Sequence, residues 1–148
     1  MESCHGCKTP MDTKLMLTKS DKGEISGVLE FQWLVGSLLY AMLGIRPDLA
    51  YAVSTLIKFN SEPAKEHHAA AKRTLCYLKE TKGYGLLYEG ETDRESSPEP
   101  LCYTDSDWAG DIESRKSTGG CVFILCNAAV SWKTKKQTTI ALSSTEAE

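Results

Sequence analysis

Apolar residues are spaced by threes and fours from Val28: Phe31, Leu34, Val35, Leu38, Leu39 and Met42 follow one another at helical steps, with Gly44 as a plausible stop. "RPDLAYAVSTLIKF" restarts the pattern with Pro47 suited to a first helical position, and Leu49, Val53, Leu56 and Ile57 form its expected buried stripe. A third helix is expected over 63–81, "PAKEHHAAAKRTLCYLKET", with Ala70, Leu75 and Leu78 among its apolar positions. Residues 1–27 hold no sustained period and read as extended or loose. After Gly83, "GYGLLYEG" reads as a short strand bounded by glycines.

The period then changes. Residues 91–100, "ETDRESSPEP", are charged, lack apolar residues and contain two prolines, which marks the best linker in the chain. Beyond it the spacing is that of strands: "LCYTDSDW", then the nearly all-apolar "GGCVFILCN", then "AAVSWKT", with Asn127 where the second and third must turn. "LSSTEAE" places Ser143 and Glu146 in the capping-box spacing, so a helix is expected to begin there. The expectation is an α+β chain: a mainly helical segment 1–90, a link at 91–100, and a strand-rich segment 101–148.

Composition narrows the classes. Of 148 residues, 41% are hydrophobic, enough for a core. A formal charge of −3 excludes a nucleic-acid binder built on overall basicity, so any such contact must come from local patches. No secretory leader and no membrane-length apolar run are evident, which favours an intracellular chain that does not span a membrane. "CHGC" at 4–7 has a metal-like gap without a second pair at zinc spacing; free thiols in a reducing compartment are the simpler reading.

Charge is sorted along the second half. Residues 91–113 carry eight acids and one base; residues 114–137 carry five bases and no acid. That arrangement suits carboxylates holding metal beside cations holding a phosphodiester, and equally an ordinary solvated surface. Strand alternation puts Asp105 and Asp107 on one face, so both could line one cleft, with Asp107 as an outer-shell acid or a turn residue. Asp111 and Glu113 read as loop charges. Arg115, Lys116, Lys133, Lys135 and Lys136 are candidate phosphate contacts or exposed solubility charges, with Ser117 and Thr118 as neutral donors. Trp132 is expected to pack in the core or stack on nucleic acid. His67 and His68 lie about 100° apart on a helix, too far round to share a metal, and read as surface or packing residues.

"FQWLVGSLLYAMLGIRPDLAYAVSTLIKF", "AAAKRTLCYLKETKGYGLLYEG", "YTDSDWAGDIESRKSTGGCVFIL" and "VSWKTKKQTTIALSSTEAE" closely resemble, in order, the Pol polyprotein of copia-type LTR retrotransposons. The resemblance runs from about Pro10 onward and implies the end of the reverse transcriptase joined to the start of a ribonuclease H domain. It implies a ribonuclease H-like strand layer followed by a helix, and an active site of four carboxylates around two divalent metals, magnesium or manganese. Asp105 matches the aspartate of the family's Y-S-D-A-D-W-A-G motif and Glu148 the last glutamate of S-S-T-E-A-E; the other two aspartates of the pattern follow farther along. The implied substrate is an RNA–DNA hybrid, with other Pol segments as possible partners. One departure stands out: His68 replaces a tryptophan usual in the family. With two of the four acids, residues 1–148 are expected to be a poor nuclease, leaving a non-catalytic nucleic-acid-binding or tethering module, or a structural remnant, as alternatives.

Overall fold

The computed structural model describes residues 5–12, 15–19, 27–89, 99–111 and 113–148. The chain forms two compact units, Met1–Gly85 and Leu86–Glu148.

In the first unit, helix α1 spans Val28–Gly44, a 3₁₀ turn Pro47–Leu49 leads into α2, Ala50–Ile57, and α3 spans Lys65–Glu80. Gly27 starts α1 in a left-handed conformation (φ +57°) that a side chain would resist. Phe31, Val35, Leu38 and Met42 of α1 meet Leu49, Ala52, Val53 and Leu56 in a core closed by Phe59, Ala70, Ala71 and Tyr77. Leu34, Leu39, Leu75 and Leu78 pack at its margin. Ile57, expected in the buried stripe, is 38% exposed, because at 100° per residue it falls at the edge of the face formed by Leu49, Ala52, Val53 and Leu56.

Two polar groups are built into this unit. Arg46 is buried, chelating Asp48 through Nε–Oδ1 (3.0 Å) and Nη2–Oδ2 (2.7 Å) and donating to Thr81 at the end of α3. His67 is buried and stacks on Phe59 at 4.0 Å. Its Nδ1 accepts from the Ala64 N–H at 2.8 Å, so Nε2 carries the proton and donates to the Thr18 carbonyl at 3.2 Å. The packing reading of His67 holds, and His68 meets Phe31 edge-on at 5.1 Å.

The second unit contains a three-stranded antiparallel sheet, β1 (Leu101–Ser106), β2 (Thr118–Leu125) and β3 (Ala128–Lys136), in the order β1-β2-β3. A short helix, α4, covers Ser144–Ala147. Cys126 and Asn127 both take positive φ (51° and 62°), the signature of a two-residue hairpin turn whose twist matches its strands. A bulge at Phe123/Ile124 breaks the β2–β3 register. The architecture is α+β.

One reading needs adjusting. "GYGLLYEG" forms no strand among its described residues; instead the Glu89 N–H donates to the Cys126 carbonyl and the Tyr88 hydroxyl to the Ala129 carbonyl. Those bonds lie within the second unit, which begins at Leu86. Residues 91–98 of that link lie outside the described residues, and Glu99 and Pro100 are exposed. No helix among the described residues is long and apolar enough to cross a membrane.

Candidate active site

At the end of β1, Asp105 pairs across the sheet with Gly120, which in turn faces Thr134 of β3. Ser106, Gly119 and Lys135 form the next row, and Thr104, Cys121 and Lys133 the row on the other side. Gly120 puts no side chain between Asp105 and Thr134 on one face of the sheet, and Gly119 none between Ser106 and Lys135 on the other, leaving an open floor on each face. A Cβ built on either would meet backbone oxygens only at 3.9 Å or beyond, so local packing does not demand glycine here. An open cleft of about 810 Å³ runs over this floor, lined by Asp105, Lys133, Lys135 and Lys136, with Glu146 and Glu148 from the end of the chain.

Local chemistry carries Glu148 to that cleft. Ser143 Oγ accepts from the Glu146 N–H at 3.2 Å, and Glu146 Oε2 accepts from the Leu142 N–H at 2.7 Å. This reciprocal cap occupies Glu146 and starts α4. Gln137 Nε2 donates to the Ala147 carbonyl at 2.6 Å, tying the last turn to the end of β3, and Ala147 is buried. Trp108, beside the acidic turn, holds the preceding segment through Nε1–H to the Ala141 carbonyl at 3.2 Å. Asp105 and Glu148 are both exposed and share the cleft.

Asp107 is placed differently. β1 ends at Ser106, so alternation no longer governs the next acid. Its Oδ1 accepts from the Thr118 N–H at 2.7 Å and the Gly110 N–H at 3.3 Å, clasping the turn to the start of β2. It does not line the cleft. Ser117, expected as a donor to phosphate, is fully buried, and its Oγ accepts from the Ala109 N–H.

The candidate cations also separate. Lys133, Lys135 and Lys136 line the cleft, whereas Arg115 and Lys116 belong to the preceding turn. The Arg115 N–H donates to the Asp111 carbonyl at 2.7 Å, and the Lys116 carbonyl accepts from the Asp111 N–H. Lys136 forms an ion pair with Asp111, whose Oδ2 also accepts from Ser114 Oγ. Asp111 is therefore a structural partner rather than a loose loop charge. Gln137, just after a lysine-rich strand, carries no local sequence signal for its role.

Among the described residues, no group of three or more histidines, cysteines or acids gathers as metal ligands. Cys4 of the "CHGC" pair lies outside the described residues, and Cys7, Cys102, Cys121 and Cys126 are free thiols.

Comparison with known proteins gives the chain a lineage. The chain is 50% identical over 114 residues to a Plasmopara viticola protein named secreted RxLR effector protein 161, covering 77% of this chain and 78% of that one. It is 41% identical over 155 residues to the retrovirus-related Pol polyprotein from transposon TNT 1-94 of Nicotiana tabacum, across 100% of this chain and 11% of the polyprotein. With the corresponding polyprotein from transposon RE2 of Arabidopsis thaliana it shares 39% over 141 residues, 95% of this chain and 9% of that one. No family model and no solved structure matches. The chain thus spans 9–11% of the length of these two polyproteins, and the likeness runs through both of its units. It belongs to the Pol polyproteins of copia-type retrotransposons.

Proposed function

We propose that this stretch joins the end of a reverse transcriptase to the start of a ribonuclease H domain, and that Asp105 and Glu148 are two of that domain's metal-binding carboxylates. One observation carries the reading: acids far apart in sequence, on a strand and on a capped helix, line one cleft together with lysines. Acids there suit a divalent cation, and the lysines at the cleft's margin suit the phosphates of a bound RNA–DNA hybrid, Lys136 on the Asp105 face of the sheet and Lys133 and Lys135 on the alternate face.

Magnesium or manganese would be the expected ion. Two such ions about 3.5–4 Å apart need several carboxylates to neutralise and space them. Asp105 and Glu148 fit one edge of such a site, but Asp107 is bonded to backbone N–H groups and Glu146 to a cap. Residues 1–148 therefore do not complete a two-metal site. Hydrolysis of the RNA strand belongs to a longer Pol form that contributes further acids, while this chain contributes the strand floor, two carboxylates and the cationic wall. The name of the Plasmopara relative describes a secreted effector and carries no reaction across to this chain.

Fluorescence anisotropy with a labelled RNA–DNA hybrid tests the binding half. Binding should weaken steeply with salt, and losing Lys133 or Lys135 should each reduce the salt slope by about one. Hybrid affinity that is unchanged by salt and by both substitutions would defeat the reading of the cleft as a phosphate site.

A further inference from the structure

Helix α1 is apolar on two opposite sides. Phe31, Val35, Leu38 and Met42 face the core, while Leu29, Trp33, Tyr40 and Leu43 are 71%, 78%, 84% and 64% exposed. At 100° per residue the second set, with Gly36 at its middle, forms one narrow stripe opposite the first. A surface helix ordinarily turns charge outward, and a helix apolar all round is one that is buried. The only charged residue of α1 is Glu30.

We infer that this stripe is a self-association surface, and that its occupant is α1 of a second copy of the chain, packed antiparallel. The order of side chains is self-complementary about Gly36. A two-fold axis there sets Leu29 against the partner's Leu43 and Gly36 against its own copy, and brings Trp33 within about one residue's rise of the partner's Tyr40, as an isologous contact requires. Gly36 and Ser37 form a notch between Trp33 and Tyr40, and a Cβ built on Gly36 meets nothing within 4 Å. Two backbones can approach closely at such a notch while the flanking aromatic rings close over it. A parallel pairing would bring the two Glu30 carboxylates together at one end; the antiparallel one keeps them apart.

Size agrees with a reversible dimer. Trp33 and Tyr40 each offer roughly 150–250 Å² for burial. With Leu29 and Leu43 added, two copies approach the ~1,200 Å² at which specific interfaces begin. Association should therefore be weak and concentration-dependent, without requiring the cleft or any nucleic acid.

Gly36→Gln separates this reading from a merely structural one. The open space at Gly36 accommodates the new side chain in the monomer, and glutamine favours helix over glycine, so helix α1 should be unharmed or steadier. In the dimer it wedges the helices apart. Sedimentation equilibrium of the full chain over a concentration series should give a monomer–dimer equilibrium. Gly36→Gln and Tyr40→Lys should each weaken it by at least about tenfold, with helical circular dichroism retained. A chain that stays monomeric throughout overturns the inference, including the case where the stripe is covered only by another Pol segment. So does a dimer indifferent to both substitutions.

Discussion

Replacing Arg46 with Met removes the centre of the polar network that joins the α1–α2 connection to the end of α3. Arg46 is 5% exposed, and its loss deprives Asp48 of two hydrogen bonds and Thr81 of the donors to its hydroxyl (2.6 Å) and carbonyl (3.2 Å). Met fills much of the same aliphatic path and donates nothing. Breaking a buried ion pair by removing one partner costs about 3–5 kcal/mol. Asp48 is 33% exposed and keeps the Tyr77 hydroxyl at 2.7 Å, so water and Tyr77 recover part of that. The expected loss is about 2–3 kcal/mol. For a unit of this size that lowers the melting temperature by roughly 10–20 °C.

Helical ellipticity reports this directly, since the described helix of the second unit has only four residues. Burial alone would raise the Asp48 carboxyl, but hydrogen bonds from Arg46 and Tyr77 outweigh it and hold the group below the usual carboxylate range. Its stabilisation is therefore complete above about pH 4 and lost as pH falls through the lower folded value. Arg46→Met should flatten that acid limb as well as lower the midpoint. A melting temperature within about 3 °C of wild type, with the acid limb intact, would refute the network's role.

Three further outcomes are expected. Burial pushes the His67 imidazole below its usual value, with the Glu66 charge partly opposing; stability of the helical unit should thus be full above about pH 6.5 and fall as pH drops below it. His67→Phe, which keeps the stack on Phe59, should melt lower and lose that dependence in thermal scans taken across pH. Asp107→Ala should destabilise the second unit by about 1–3 kcal/mol by orphaning the Thr118 and Gly110 N–H groups, measured by denaturant titration of tryptophan fluorescence. Lys136→Ala should change the salt dependence of hybrid binding less than Lys133→Ala or Lys135→Ala, because Lys136 is paired with Asp111.

Helix α1, the restart at Pro47, α3 and the three strands were legible because each follows a clear period. Their inner faces were legible for the same reason, down to Leu49, Val53 and Leu56. Long-range polar arrangements were not. Nothing local marks Arg46 as the residue that reaches Thr81, or Gln137 as the one that holds Ala147. Of the two roles its sequence allows, outer-shell acid or turn residue, Asp107 takes the turn: β1 ends at Ser106, and two backbone N–H groups recruit the next carboxylate. "GYGLLYEG" has strand-like residues but pairs with no strand among its described residues, and its Glu89 N–H bonds to the hairpin turn. Capping chemistry, by contrast, is local: Ser143 and Glu146 announced α4, and the cap they form leaves Glu148 to share the cleft with Asp105.

Cleavage of a hybrid whose RNA strand is labelled, followed in magnesium and in manganese, asks whether residues 1–148 hold a complete two-metal site. Residues 1–148 should give no appreciable cutting, because Asp105 and Glu148 alone do not complete a two-metal site. A longer Pol chain that continues through the rest of the expected helix and the two later aspartates of the family pattern should cut, and Asp105→Asn in that chain should abolish cutting. Efficient cleavage by residues 1–148 that vanishes in their Asp105→Asn variant would contradict the account, as would a longer chain that cuts equally well without Asp105.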